Sequence, residues 1–464
     1  MQFPKTFLDS LNGIEGFNKE TFEKVHASGE QITSIRFNPR KSIVNPSAVA
    51  QDQWSMNTDI HHSPLTINQK IPWTEYGYYL SQRPSFTFDP FFHAGCYYVQ
   101  EASSMFLEQA LKQTADLSKP LKILDLCAAP GGKSTHMQSL ITKESLLVSN
   151  EVIRSRVNIL KDNTIKWGSE NVIVTNNDPK DFSKLENYFD MIVVDAPCSG
   201  SGLFRKEPEA VDEWSLNNVQ LCSRRQKRIL ADVWPALKKN GILIYSTCSY
   251  SKEENEEIAN WLNKELKTNN KELIIDSKWN ITASENGYRF WPDKVEGEGF
   301  FIACFRKMDG DESPNIKTKI KQQILGKKEV SIINEWIKTG DYQFVKKLDT
   351  IYAMPGGLSK EFYFLNEQLN VQYAGIAIGE LIRDKLIPDH ALAMSNIVNE
   401  NVLAIELNYD EAIQFLKKKD LKLNTQIKGW TLVNYVGHHL GWINILPNRI
   451  NNYYPKELRI LKDS

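Results

Sequence analysis

No two cysteines in the 464-residue sequence stand in CxxC spacing, and six of them (Cys96, Cys127, Cys198, Cys222, Cys248, Cys304) make no disulfide framework in so long a chain. A structural zinc site is therefore not expected. Nowhere do about 18 apolar residues follow one another, so no membrane-spanning helix is predicted. The opening Met1-Gln-Phe-Pro-Lys-Thr-Phe7 lacks the basic start and apolar core of a signal peptide, which points to the cytoplasm. Net charge is also nearly absent, at −1, so any polyanion partner has to be held by local patches. Hydrophobic content of 41% and charged content of 24% are those of an ordinary globular protein and exclude a disordered or fibrous chain. At roughly 150 residues per domain, the length allows two to four domains, and a monomer is the default assembly.

Local patches are present. Ile35-Arg-Phe-Asn-Pro-Arg-Lys41, Arg224-Arg-Gln-Lys-Arg228, Lys317-Thr-Lys-Ile-Lys321 with Lys327 and Lys328, and Lys417-Lys-Lys419 each concentrate positive charge. One such patch is ordinarily a solvated helix face; four beside a chemistry-bearing core suggest nucleic acid.

Residues 1–85 read as a small α+β region, with helices near 5–11 and 18–28 and a strand over 32–37. Pro39, Pro46, Pro64 and Pro72 mark loops after it. Residues 86–307 open on an aromatic stretch and a helix over 100–113. From about 120 onward, six short apolar runs (121–126, 145–150, 171–175, 191–195, 241–245, 299–305) alternate with helical stretches at 133–142, 152–166, 216–238 and 253–266. That alternation predicts a doubly wound, Rossmann-like α/β sheet, with ligands at the carboxyl ends of its strands. Residues 308–370 read as a polar linker and a small intermediate region with a helix over 330–339, and residues 371–464 as a compact, mostly β module.

At the first strand end, Ile123-Leu-Asp-Leu126 runs into Cys127-Ala128-Ala129-Pro130-Gly131-Gly132-Lys133-Ser-Thr135, a small-residue turn opening a helix. Such a turn lets backbone approach a ligand and presents unpaired N–H groups to it. Gly132-Lys-Ser134 matches the end of a phosphate-binding P-loop, but the glycine that motif needs five residues earlier is Cys127. A nucleoside cofactor is the better reading. Glu151 follows the second strand, suited to ribose hydroxyls, and Asp178 the third, suited to an adenine edge. Taken singly, each could equally be a helix N-cap. Lys133 could contact the target or the helix start, or be solvated.

Two further strand ends carry thiols: Cys198 in Asp195-Ala-Pro-Cys-Ser-Gly-Ser-Gly202 and Cys248 in Tyr245-Ser-Thr-Cys-Ser-Tyr250. With Ile35–Lys41, Gly95-Cys-Tyr-Tyr-Val-Gln-Glu-Ala-Ser-Ser104 and Asp125–Lys133, these segments resemble the RNA (cytosine-5) methyltransferases, and in overall organisation the RsmF-type ribosomal RNA enzymes. The resemblance covers residues 1 to about 307 and extends less specifically to a PUA-like RNA-binding ending. It implies S-adenosyl-L-methionine as cofactor, held by Cys127 through Lys133 with Glu151, Asp178 and Asp195. It also implies RNA as substrate, most of all 16S rRNA or the small ribosomal subunit. Arg205-Lys-Glu-Pro208 departs from the pattern of many relatives and leaves its RNA contact open.

Carbon 5 of cytosine is a poor nucleophile until a thiolate adds to carbon 6. Negative charge then arriving near N3 and the amino group has to be met, and Asp195 is suited to that if protonated or bridged, its other role being cofactor contact. On residues alone either cysteine could attack; the resemblance assigns Cys248 as nucleophile and Cys198 as helper in product release. The remaining cysteines are expected to be packing residues. Enzymes acting on exocyclic amines carry Asn- or Asp-Pro-Pro-Tyr at this strand end, a different chemistry. A tRNA cytosine-5 methyltransferase and a catalytically idle RNA-binding assembly factor are the rival readings. The idle factor would lack Cys248 or have a broken cofactor turn, and this chain has both.

Overall fold

A computed structural model describes residues 3–41, 65–310 and 325–462. The loops expected at Pro46 and Pro64 and the patch at Lys317, Lys319 and Lys321 lie outside the described residues. Each of the six apolar runs is a strand: Lys122–Asp125, Leu146–Asn150, Val172–Thr175, Phe189–Asp195, Leu237–Thr247 and Phe300–Lys307. The first five are parallel, in the spatial order third, second, first, fourth, fifth, and Phe300–Lys307 runs antiparallel beside the fifth. Leu146–Asn150 and Val172–Thr175 are buried throughout, as strands covered on both faces must be.

Helices Gly132–Leu140, Arg154–Trp167, Leu216–Val233 and Glu256–Glu265 cover those faces. The third stops short of residue 238 because Pro235 brings no N–H and restricts the residue before it. Helix Arg154–Trp167 ends on Gly168 at φ +83°, where a Cβ would also lie 2.4 Å from the Met394 carbonyl oxygen. Backbone of the C-terminal region thus touches the parallel-sheet unit at a point only glycine allows.

An antiparallel four-stranded sheet (Ile67–Lys70, Gly77–Leu80, Thr33–Phe37, Tyr97–Val99 in spatial order) forms the N-terminal unit. Two more four-stranded sheets lie beyond residue 340, with short helices His390–Met394 and Tyr409–Leu416 beside them. Two features of this half were not anticipated. Val371–Ala374, where the sequence suggests that a separate module starts, is instead an antiparallel edge strand on Val172–Thr175 of the large sheet. Val345, Met354, Phe362 and Leu365 share one apolar core with Leu124, Val148 and Ile192, so the intermediate region is packed rather than strung between units. Its helix is Lys327–Asn334 and does not run to 339, because the backbone at Ile337 bridges to Val398.

The N- and C-terminal units also meet. Ile35, Phe37, Tyr78, Phe91 and Tyr97 pack in one cluster with Phe415, Leu416, Tyr435, Leu440 and Ile443. Each fully buried side chain of this size contributes about 1.5–3 kcal/mol of transfer free energy, so the joint cluster is a substantial bond between chain ends. No helix among the described residues is long and apolar enough to cross a membrane.

Candidate active site

The chain passes from the first parallel strand outward to the third, then crosses back to lay the fourth on the first strand's other side. The crevice at that crossover lies between the carboxyl ends of Lys122–Asp125 and Phe189–Asp195. Lys133, from the helix after the first strand, reaches Asp195 at the end of the fourth, Nζ to Oδ2 at 2.7 Å. Ser246 donates to the other carboxylate oxygen at 2.7 Å. Asp195 is therefore bridged. Burial alone would push the Lys133 ammonium down, but Asp195, with Asp125 and Cys248 adding to the field, holds it above its ordinary range. Its Nζ also lies 5.3 Å from the Phe300 ring centroid.

Strands four and five are in register, Asp195 beside Ser246, so the residues just beyond them share one rim. Cys198 and Cys248 meet there with sulfurs 3.2 Å apart. Gly202 N–H donates to the Cys248 carbonyl at 2.9 Å and Tyr250 N–H to the Ser201 hydroxyl at 2.9 Å, lacing the two loops together. The contact with Cys248, burial, and the charge of Glu254 all push the Cys198 thiol well above its usual range. The Cys198 sulfur therefore favours its protonated form. Burial likewise pushes Cys96, Cys127 and Cys304 up, which leaves them as thiols.

At the cofactor turn, Gly131 adopts φ +115° and no side chain caps the helix it opens, so the first amides are open to a ligand. Asp125 is wholly buried below, with Oδ2 accepting from Ser134 at 2.6 Å and Oδ1 without a partner among the described residues. Burial pushes its carboxyl up to about 7. An orphaned carboxylate oxygen under a glycine turn fits a cofactor bearing cationic and hydroxyl donors. Ala128 N–H donates to the Asn150 carbonyl and Arg156 Nη2 to the Ala129 carbonyl at 2.7 Å, which fix Cys127 through Pro130 against the second strand.

Glu151 and Asp178 line the same edge, and both cap local backbone. Glu151 accepts from Ile153 N–H at 2.8 Å and pairs with Arg156 at 3.3 Å. Asp178 accepts from Lys180 N–H at 3.1 Å and sits 3.5 Å from Arg228, leaving Oδ2 unengaged among the described residues. The capping role and the site role thus fall on the same side chains.

The basic segments divide. Arg36 is fully buried, bonding Gln100, Thr135 and the Gly132 carbonyl, so it buttresses the cofactor helix. Lys41 gives its ammonium to the carbonyls of Ala94 and Lys166. Arg205 is spent on Glu298 and the Gly297 carbonyl. Arg224 and Arg225, in contrast, are exposed on the helix whose Gln226 bonds the Pro197 carbonyl beside the cysteines. Arg40, His438 and His439 line a cavity of about 270 Å³ where the two chain ends meet.

Sequence reasoning missed Glu254. It is wholly buried and accepts from Ser199 and Ser249, the residues that directly follow the two cysteines. Nothing in the spacing announces it, because its partners come from two loops joined only by the sheet.

Comparison with known proteins agrees with this layout. Residues 112–306 match the family model described as 16S rRNA methyltransferase RsmB/F. Residues 3–102 match the N-terminal domain of 16S rRNA methyltransferase RsmF, and residues 402–460 the methyltransferase RsmF PUA domain. A ribosomal RNA small subunit methyltransferase F from Shewanella piezotolerans is 30% identical over 84% of this chain and 85% of its own length. One of the same name from Vibrio vulnificus is 26% identical over 98% and 97%. A crystal structure of a methyltransferase homolog protein from Pyrococcus horikoshii, 26% identical, superposes with a TM-score of 0.54 over 66% of this chain and 96% of that one.

Proposed function

The chain belongs to the ribosomal RNA small subunit methyltransferase F family, and on that premise we propose that it methylates carbon 5 of a cytosine in 16S rRNA through a covalent Cys248 adduct. One observation carries the reading: two sulfurs 3.2 Å apart beside a lysine-bridged aspartate at the crossover of a parallel sheet.

S-adenosylmethionine, when bound, supplies an electrophilic methyl group on a sulfonium. The turn Cys127–Lys133 and the unpartnered Asp125 oxygen beneath it would hold it, with Glu151 available to ribose hydroxyls and Asp178 to the adenine edge. The Cys248 thiolate adds to carbon 6 of a cytosine lifted from its stack, which ends ring aromaticity and makes carbon 5 able to take the methyl group. Lys133 offers positive charge to the electron density arriving on the ring, and Asp195, held on both oxygens, accepts from the amino group. The carbon 5 proton then passes to water acting as base, and its electron pair restores the ring double bond as the carbon 6 to sulfur bond breaks. Cys198, still protonated, donates to the departing sulfur, and that is its help in product release.

The N-terminal unit, matched over residues 3–102, and the C-terminal unit, matched over residues 402–460, grip the RNA, and the exposed Arg224 and Arg225 add positive charge on the helix beside Pro197. The enzyme acts as a monomer in the cytoplasm. Bisulfite sequencing of ribosomal and transfer RNA from deletion cells, complemented with wild type or Cys248→Ala, tests this. A 16S 5-methylcytosine should vanish on deletion and return only with wild type, a loss on the order of 10⁴-fold or more in rate. Cys198→Ala should accumulate a covalent RNA adduct through Cys248; free turnover by that variant would sink the division of labour.

A further inference from the structure

We propose that Glu254 is a positioning residue that sets the separation of the two reacting sulfurs by holding both cysteine loops at once, through Ser199 and Ser249. This rests on the covalent reading above and extends it to a side chain that touches neither substrate nor cofactor. Oε1 accepts from Ser199 N–H at 2.8 Å and from Gln226 Nε2 at 3.3 Å. Oε2 accepts from the Ser199 hydroxyl at 2.5 Å and the Ser249 hydroxyl at 2.6 Å.

All four donors are neutral, a backbone amide, a side-chain amide and two hydroxyls. Burying a carboxylate with neutral donors alone costs more than filling the space with an apolar side chain. A residue kept only for packing would not need that charge. The backbone that carries Glu254 is itself held from behind. Tyr245 donates to the Glu254 carbonyl at 2.6 Å, and Asn255 bonds Thr247 at 2.6 Å and the Ser249 carbonyl at 2.8 Å.

The loops have no slack between them. The Ser199 and Ser249 hydroxyls are 3.2 Å apart, and a Cβ on Gly202 would fall 2.8 Å from the Cys248 carbonyl oxygen. Each pinned serine is the immediate neighbour of a reactive cysteine, so a shift of either is passed directly to a sulfur. The negative charge of Glu254 also contributes to keeping Cys198 protonated, which suits a donor to Cys248.

Two measurements test this on the full-length protein. Glu254→Gln should lower single-turnover methyl transfer about 10²-fold, the scale of an ångström's misplacement, while KM for RNA and Kd for S-adenosylmethionine stay within about twofold. Diamide, which oxidises two neighbouring thiols to a disulfide and is itself reduced to the hydrazine, should join Cys198 to Cys248 in wild type. Mass spectrometry should follow that closure slowing on the order of tenfold in Glu254→Gln. Ser199→Ala and Ser249→Ala should each cost about tenfold in transfer and add nothing further on top of Glu254→Gln.

Wild-type transfer and closure rates in Glu254→Gln overturn the proposal, and so do serine losses that multiply with its own. If Glu254→Gln does not fold, judged by loss of cofactor binding, the serine variants decide, and unchanged rates in both overturn it. If the wild type methylates no RNA, the functional reading fails while the disulfide arm still decides the positioning.

Discussion

Around Asp125, Asp195 and Cys248 the chain builds its chemistry from strand ends. Each functional side chain lies within a few residues of a parallel strand, and neighbouring strands bring those ends together in register. Around Phe91 and Tyr435 the chain works differently: rings from its two ends meet 5.2 Å apart in a core that neither end could complete alone. The first region is assembled by a repeated local rule and the second by a single long-range closure. Local assembly places the candidate site's atoms to within a hydrogen bond, whereas the closure joins the two ends of the chain in one core.

The largest effect should come from breaking the closure. Phe415 is fully buried, with its ring 5.4 Å from Tyr454. Phe415→Ala should cost about 3–5 kcal/mol. If the two ends share one core, hydrogen exchange will quicken in Thr33–Phe37 as well as in Gly429–Tyr435; unchanged protection of the N-terminal strand would show that the ends are independent.

Lys133→Met strikes the locally built region instead. It should lower methyl transfer about 10²-fold without altering the melting of either end, because it removes charge from a site that the sheet already holds in shape. Single-turnover rates and calorimetry on the same preparation check both halves of that expectation.

The smallest effect is electrostatic. Asp125 keeps its proton up to about 7 because it is buried, so the folded state binds that proton more tightly than the unfolded one. Its contribution therefore opposes stability increasingly as pH rises from the ordinary carboxyl range to about 7, and levels off above. A cationic cofactor prefers the ionised form, against the opposing charges of Asp195 and Glu151 and with Lys133 nearby. Affinity for S-adenosylmethionine should thus rise by up to about tenfold between pH 6 and pH 8, and flatten in Asp125→Asn. Titration calorimetry at several pH values will reveal either slope.

Legibility followed the same division. The six strands and the helices between them could be read from apolar runs because a strand buried on both faces has to be apolar throughout. Cys198 and Cys248 could be paired because both close such runs. Arg36 and Lys41 read equally well as RNA contacts, and only their hydrogen bonds to the Gly132 and Lys166 carbonyls turned them inward. Val371–Ala374 looked like the start of a module because its composition fits any strand; its partner, Val172–Thr175, was not encoded nearby.

By itself, then, the sequence determined the topology of the parallel sheet, the glycine turn after its first strand and the two thiols at its strand ends, since these depend on periodicity and on residues adjacent in the chain. Tertiary structure alone decided that Lys133 bridges Asp195, that Glu254 ties the loops behind both sulfurs, and that the chain's two ends share one core. Those outcomes depend on contacts between segments far apart in sequence, and hydrogen bonds and apolar packing of that kind leave no periodic trace along the chain.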